Sequence, residues 1–214
     1  MPTNVKENGF ESSIVSWLVQ HNGYEQGSNA DYNKEIAMDE TRLFRFLNTT
    51  QADKMKQLRL ENDPLEKEKF LQRLDQSLHT NGVIDLLRKG FRYKHLVLDM
   101  FYVRPSPGNE TAAKLYAQNI FSVTRQLQYS RQNPLLALDV CLFLNGLPIA
   151  TMELKNQLTK QNAADAVKQY KDERTPDEVL FGFKRCIVHF AVDDNEVRMC
   201  TELKGQKVVV PAVQ

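Results

Sequence analysis

The sequence predicts an α/β fold of the α+β-like kind, a central mixed β-sheet flanked by helices, on three observations. Apolar residues in the first half recur at helical spacing. After His95 the texture changes to short β-rich runs. One helical stretch, 163–172, then falls between strand-like segments. A chain of 214 residues with 42% hydrophobic content can bury one sizeable core, so a single domain is expected.

Taken in order, residues 10–20 place Phe10, Ile14, Trp17 and Leu18 on a helix that Asn22-Gly23 ends. Residues 27–34 read as a polar loop, and 39–47 as a short helix with Leu43, Phe44 and Leu47 on one side. Another helix starts at Thr50, and Asp63-Pro64 breaks it and starts the next. That segment runs to about Lys89 and repeats Phe70, Leu71, Leu74, Leu78 and Ile84. The helices of about residues 50–90 are expected to form an insertion in the α/β domain. His95–Val103 reads as β-rich, 110–117 as a short helix, and 119–129 as a strand carrying Phe121, Val123, Leu127 and Tyr129. Strands follow at 135–144 and 148–155, then the helix at 163–172, then strands at 186–192 and 197–201 around Asp193-Asp194-Asn195.

Composition excludes several classes. Charged residues make up 26% and aromatics 9%, which argues against disorder. A formal net charge of +1 is low for a stand-alone DNA-binding domain, because neutralising phosphates supplies much of such affinity. If DNA is the substrate, tight binding must come from a partner or a further domain. Cys141, Cys186 and Cys200 lie in apolar strand-like segments without short metal-ligand spacing, which predicts buried thiols in a reduced, cytoplasmic protein. The N-terminus has no apolar signal core, and no apolar run approaches the roughly 18 residues of a membrane span.

The informative stretch is LALDVCLFLNGLPIATMELKNQ. Asn145-Gly146 between two apolar runs signals a β-hairpin. With a three-residue loop, Leu144 faces Pro148 and Asp139 falls opposite Glu153. A two-residue loop would shift the register by one and turn one strand's face over. Glu153 and Lys155 share a face of their strand, roughly 6–7 Å apart. Burying one carboxylate costs several kcal/mol by rough estimate, and two close together repel unless a cation sits between them. A Mg²⁺ ion, or Mn²⁺ in its place, resolves both problems. It also lowers the pKa of water and neutralises charge on a phosphodiester oxygen. Lys155 is then placed to orient the attacking water or stabilise the phosphate.

Asp139, thirteen residues, then Glu153-Leu154-Lys155 resembles the PD-(D/E)xK nuclease signature. The wider context resembles the N-terminal nuclease portion of the type I restriction enzyme R subunit. Gly146-Leu147-Pro148 followed by Met152 to Asn156 is similar to that family's G-x-P…E-L-K-N run. Phe121-Ser122-Val123 with Gln126, and Ile187 to Asp193, resemble the strands before and after it. The resemblance covers most of the chain and is weakest over residues 50–90. It implies a restriction-endonuclease-like core and Mg²⁺-dependent cleavage of double-stranded DNA. Asp139 and Glu153 would be metal ligands and Lys155 catalytic, with Glu11, in an early helix, a further candidate metal ligand. It also implies partners, the specificity and methyltransferase subunits. No Gly-x-x-x-x-Gly-Lys-Ser/Thr occurs in the sequence, so ATP binding and the motor are expected outside this chain. Leu138 stands where the family often has proline.

Family members often carry Gln-x-x-x-Tyr on the helix after the signature. Gln169 falls at the matching place and is a candidate catalytic residue near the scissile phosphate, but Glu173 stands where tyrosine is expected. Tyr170, directly after Gln169, is a candidate DNA contact or a packed helix residue. Lys160, Lys168, Lys171 and Arg174 form a basic set that would touch phosphate or simply lie on a solvated face. His21, His79, His95 and His189 are scattered and read as structural, and Asp193-Asp194-Asn195 as a turn. Two rival readings remain: a non-catalytic docking domain of the same subunit, and a repair nuclease of the same superfamily.

Overall fold

A computed structural model describes residues 5–156 and 161–205. Its centre is a six-stranded mixed sheet in the order β1-β6-β7-β8-β9-β10, flanked by helices. The strands are β1 (Glu25–Gln26), β6 (Phe121–Gln128), β7 (Ala137–Leu144), β8 (Leu147–Leu154), β9 (Val188–Val192) and β10 (Val197–Cys200). The β6/β7, β7/β8 and β9/β10 pairs are antiparallel, and β1/β6 and β8/β9 are parallel. The parallel β8/β9 pair is joined through helix α7 (Ala163–Asp172).

Helix α1 (Val5–His21) packs Phe10, Ile14, Val15 and Leu18 against Val123, Val140 and Leu154 on one face of the sheet. Trp17 is the exception to the expected apolar face: it is 61% exposed and stacks on His21 instead. Helix α7 covers the other face with Ala166, Val167 and Tyr170 over Cys141, Phe143 and Ala191. Its start is fixed by a capping box between Asn162 and Asp165. Asp193 of the β9–β10 turn adds a bond from the Ala163 amide to one carboxylate oxygen and takes the Asn195 and Glu196 amides on the other.

The remaining helices, α2 (Glu40–Thr50), α3 (Ala52–Leu58), α4 (Pro64–Asn81) and α5 (Val83–Lys89), surround a second core of Leu43, Phe46, Phe70, Leu74 and Leu86. Leu147 of β8 joins that core, which ties it to the sheet. The expected single helix from Pro64 to Lys89 is two, because Gly82 at φ 87 ends one and begins the other. The expected long strand after His95 is also corrected. Leu96–Leu98 (β5) pairs with Phe91–Tyr93 (β4) in a separate hairpin, and the run stops at Asp99. There the Gln51 side chain takes the place of a neighbouring strand, donating to the Asp99 carbonyl and accepting from its amide, both at 2.8 Å. The short helix at 110–117 is α6 (Glu110–Tyr116), and the polar loop at 27–34 contains only β2 (Tyr32–Asn33), paired with β3 (Met38–Asp39).

The β7–β8 hairpin departs from expectation and then returns to it. Its loop has two residues, with Leu144 paired to Leu147. Asn145 and Gly146 both have positive φ, 51° and 83°, as a primed hairpin turn requires. A register shift beyond Phe143 leaves Ile149 unpaired on β8, and pairing resumes at Leu142–Ala150, Cys141–Thr151 and Val140–Met152. The bulge restores the side-chain phase that the shorter loop had moved, so Asp139 and Glu153 are the residues directly beyond the last pair of the ladder.

The turn is packed beneath α2. A Cβ on Gly146 would meet Leu43 Cβ and N at 2.7 Å and the Asp39 carbonyl closer still. Gly146→Ala is therefore expected to destabilise the protein by about 2–4 kcal/mol, from positive φ and steric overlap together. The midpoint of urea unfolding measures this, and an unchanged midpoint would contradict the packing described.

Candidate active site

Past the Val140–Met152 pair the β7/β8 ladder opens. The Leu154 amide donates to Asp139 Oδ2 at 2.8 Å, so a side-chain carboxylate takes the position of a strand carbonyl. Asp139 Oδ1 accepts from Gln126 Nε2 at 3.1 Å. Asp139 is half-buried at this open end. The Lys155 amide donates to the Val192 carbonyl at 2.8 Å, which holds the other side of β8 to β9.

Glu153 is fully enclosed. Its Oε1 accepts from Arg174 Nε at 2.6 Å, while Oε2 has no hydrogen-bond partner among the described residues. Burial raises its carboxyl, the neighbouring Asp139 charge raises it further, and Arg174 and Lys155 oppose them; the result is about 8. Asp139, Glu153 and Lys155 thus lie within electrostatic reach of one another. Lys155 is half-buried beside them.

Arg174 was not expected here. The sequence placed it with Lys168 and Lys171 on a basic surface, but it is 2% exposed. Beyond its bond to Glu153, its guanidinium donates to the Tyr129 hydroxyl at 2.9 Å and the Ala137 carbonyl at 2.8 Å, and it lies over the Tyr129 ring. Arg174 follows the end of α7, so helical phase no longer sets its direction.

Glu11 of α1 is buried and both its oxygens are engaged. Oε1 accepts from Arg125 Nε at 2.5 Å and Oε2 from Gln126 Nε2 at 2.8 Å. It reaches Asp139 through Gln126. Gln169 is half-buried on α7, with Oε1 lacking a partner. Tyr170 is corrected from a DNA contact to an interior residue. Its ring is 2% exposed and its hydroxyl bonds Thr151 Oγ1 at 2.9 Å. Its spacing from Ala163, Ala166 and Val167 is the sequence signal for that inward face. Lys168 is exposed on the outer side of α7, and Lys160 lies outside the described residues.

Do these residues fit a divalent cation? An orphaned buried carboxylate oxygen beside a second carboxylate is an oxygen donor set of the kind Mg²⁺ prefers. Among the described residues no group of three or more His, Cys, Asp or Glu is gathered for a metal, so an ion here would have two carboxylates as its protein ligands. A cavity of about 950 Å³ in the helical region, lined by Tyr32, Phe44, Met55 and Arg59 among others, does not include these carboxylates.

Beneath the site, Thr151 Oγ1 also bonds His189 Nδ1 at 2.7 Å. Burial holds His189 down to about 4, so the folded protein keeps it neutral. The unfolded chain takes up that proton near the ordinary histidine value of roughly 6.5, so His189 contributes stability above 6.5 that is lost as pH falls from 6.5 to about 4. Glu153, raised, acts in the opposite sense below about 8. The difference between wild type and His189→Gln isolates the histidine. Wild type is expected to lose about 3 kcal/mol more than His189→Gln between pH 7 and 4. Parallel curves by denaturant unfolding would contradict a buried neutral His189.

All three cysteines are free thiols, two of them buried, and no helix among the described residues is long and apolar enough to cross a membrane. No curated protein matches the chain. A family model described as "Type I restriction enzyme R protein N terminus" matches residues 4–208. That match spans the sheet, both flanking helices and every residue of the carboxylate site. The chain belongs to the family of type I restriction enzyme R protein N termini.

Proposed function

We propose that this chain is the Mg²⁺-dependent endonuclease module of a type I restriction R subunit, hydrolysing phosphodiester bonds of double-stranded DNA. The observation that carries the reading is the enclosed, unpartnered Glu153 Oε2 beside Asp139. When bound, a divalent cation lowers the pKa of water and neutralises charge on a phosphodiester oxygen. Asp139 and Glu153 would hold the ion. The Leu154 amide fixes Asp139, and Arg174 fixes Glu153 through its other oxygen. Lys155 orients the attacking water and offsets charge developing on the phosphate. Gln169, half-buried on α7, would offer its amide, and exposed Lys168 a phosphate contact. Mn²⁺ would substitute for Mg²⁺.

Family membership supports the rest of the reading. Sequence recognition belongs to a specificity subunit in a complex with methyltransferase subunits, and ATP-driven translocation to a motor region of the full-length subunit. Its place is the cytoplasm, in keeping with three free cysteines.

One observation favours a second reading, a docking domain without catalysis: Arg174 already neutralises Glu153, as it would in a purely structural ion pair. Thermal melting with added Mg²⁺ separates the two. At 100 times the dissociation constant, ligand binding stabilises by about 2.7 kcal/mol, which for a chain of this size raises Tm by about 5–10 °C. Wild type is expected to show that shift and Glu153→Gln to lose it. Equal shifts in both, or none in wild type, would favour docking.

A further inference from the structure

We infer that Gln126 is a positioning residue that fixes Asp139 for metal binding, with Glu11 as its anchor. The inference rests on the reading that Asp139 and Glu153 hold a divalent cation.

Gln126 lies within β6, where extended backbone is the rule, yet its φ is 46°. L-residues other than glycine, asparagine and aspartate rarely adopt this conformation, and it persists only where surrounding contacts impose it. The β6/β7 ladder pairs Arg125 with Val140 and Leu127 with Leu138, and omits the intervening Gln126 and Asp139. The backbone turn brings the Gln126 side chain between two acids on different elements. An amide nitrogen carries two N–H donors. Gln126 Nε2 spends them on Glu11 Oε2 at 2.8 Å and Asp139 Oδ1 at 3.1 Å.

Glu11 is itself held by Arg125 on its other oxygen. The backbone carbonyl of Gln126 accepts from Asn29 Nδ2 at 3.0 Å, so the residue is pinned at both ends. A chain of contacts therefore runs from Arg125 through Glu11 and Gln126 to Asp139, whose second oxygen is held by the Leu154 amide. Each Asp139 oxygen accepts one of these bonds and keeps capacity for another partner. A carboxylate oriented in advance binds an ion without ordering itself first, and outer partners of metal ligands typically matter by about 10–100-fold. Glycine would satisfy the backbone at this position without strain. Glutamine there places an amide where only the two carboxylates use it.

The test compares wild type, Gln126→Gly, Gln126→Asn and Asp139→Asn. Glycine keeps the backbone conformation and removes the amide. Asparagine tolerates the conformation but is too short to span both acids. Two readouts are taken: the Mg²⁺ concentration that half-saturates the rise in Tm of this chain, and the Mg²⁺ concentration giving half-maximal DNA cleavage by the assembled enzyme. Both Gln126 variants are expected to need about 10–100-fold more Mg²⁺ in each, with KM for DNA unchanged and excess Mg²⁺ restoring the rate. If one variant fails to fold, the other carries the comparison. Wild-type Mg²⁺ dependence in a folded Gln126 variant, while Asp139→Asn loses the metal response, overturns the positioning role and leaves the metal reading standing. Wild-type dependence in Asp139→Asn as well overturns both.

Discussion

Glu153→Gln is expected to slow DNA cleavage by the assembled enzyme about 10³-fold while ATP hydrolysis by the same preparation continues. Losing one of two carboxylate ligands removes several kcal/mol of charge stabilisation from the transition state, and each 1.36 kcal/mol is tenfold in rate. Glutamine is the informative replacement because the Arg174 guanidinium is buried against Glu153 Oε1. An amide oxygen still accepts that bond, whereas alanine would strand the cation and confuse misfolding with lost chemistry. Asp139→Asn is expected to slow cleavage comparably, but its amide keeps one acceptor oxygen for two donors, so either the Gln126 or the Leu154 bond is lost as well. Lys155→Ala should cost about 10²–10³-fold, the usual effect of removing one stabilising donor. Cleavage at the wild-type rate by any of the three would remove that residue from the site, and continued ATP hydrolysis shows that the complex is intact.

The second large effect is on stability. Arg174→Ala leaves Glu153 enclosed without its counter-ion, which typically costs about 3–5 kcal/mol. The cost depends on pH with a definite sign. Glu153 sits at about 8 even with Arg174 present, and without the guanidinium its charged form is disfavoured further. Below about 8 the carboxyl is protonated in wild type as well, so the penalty is small; it grows by about 1.4 kcal/mol for each pH unit above 8 until the variant's own, higher carboxyl value is passed. The expected result in denaturant unfolding is therefore a gap between wild type and Arg174→Ala that widens as pH rises. Replacing both partners, as Arg174→Met with Glu153→Leu, should recover much of the loss, because two apolar side chains need no compensation. A gap independent of pH would mean that Arg174 acts through Tyr129 and Ala137 rather than through Glu153.

The helix over the site was legible to the residue: Ala163–Asp172 follows from apolar spacing and flanking polar turns. Asp139 and Glu153 come within electrostatic reach of each other by a path the sequence does not display. A three-residue loop was expected; the Asn145-Gly146 turn has two residues, and the bulge at Ile149 supplies the missing offset. In the apolar run LPIATM only Pro148, which has no amide to give the ladder, hints at the irregularity beside it. Arg174 and Gln126 were hidden for related reasons. Arg174 lies beyond the last helical residue, where periodicity stops predicting direction. Gln126 sits in a strand whose alternation gives no hint of a left-handed residue. Glu11, by contrast, was marked only through the resemblance, since one acid on an amphipathic helix ordinarily faces water.

The most direct measurement is anomalous diffraction from crystals of this chain soaked in Mn²⁺. One peak is expected between an Asp139 oxygen and Glu153 Oε2, in contact with both, with Arg174 still on Oε1. Crystals at saturating Mn²⁺ with no density between those two carboxylates would contradict the account.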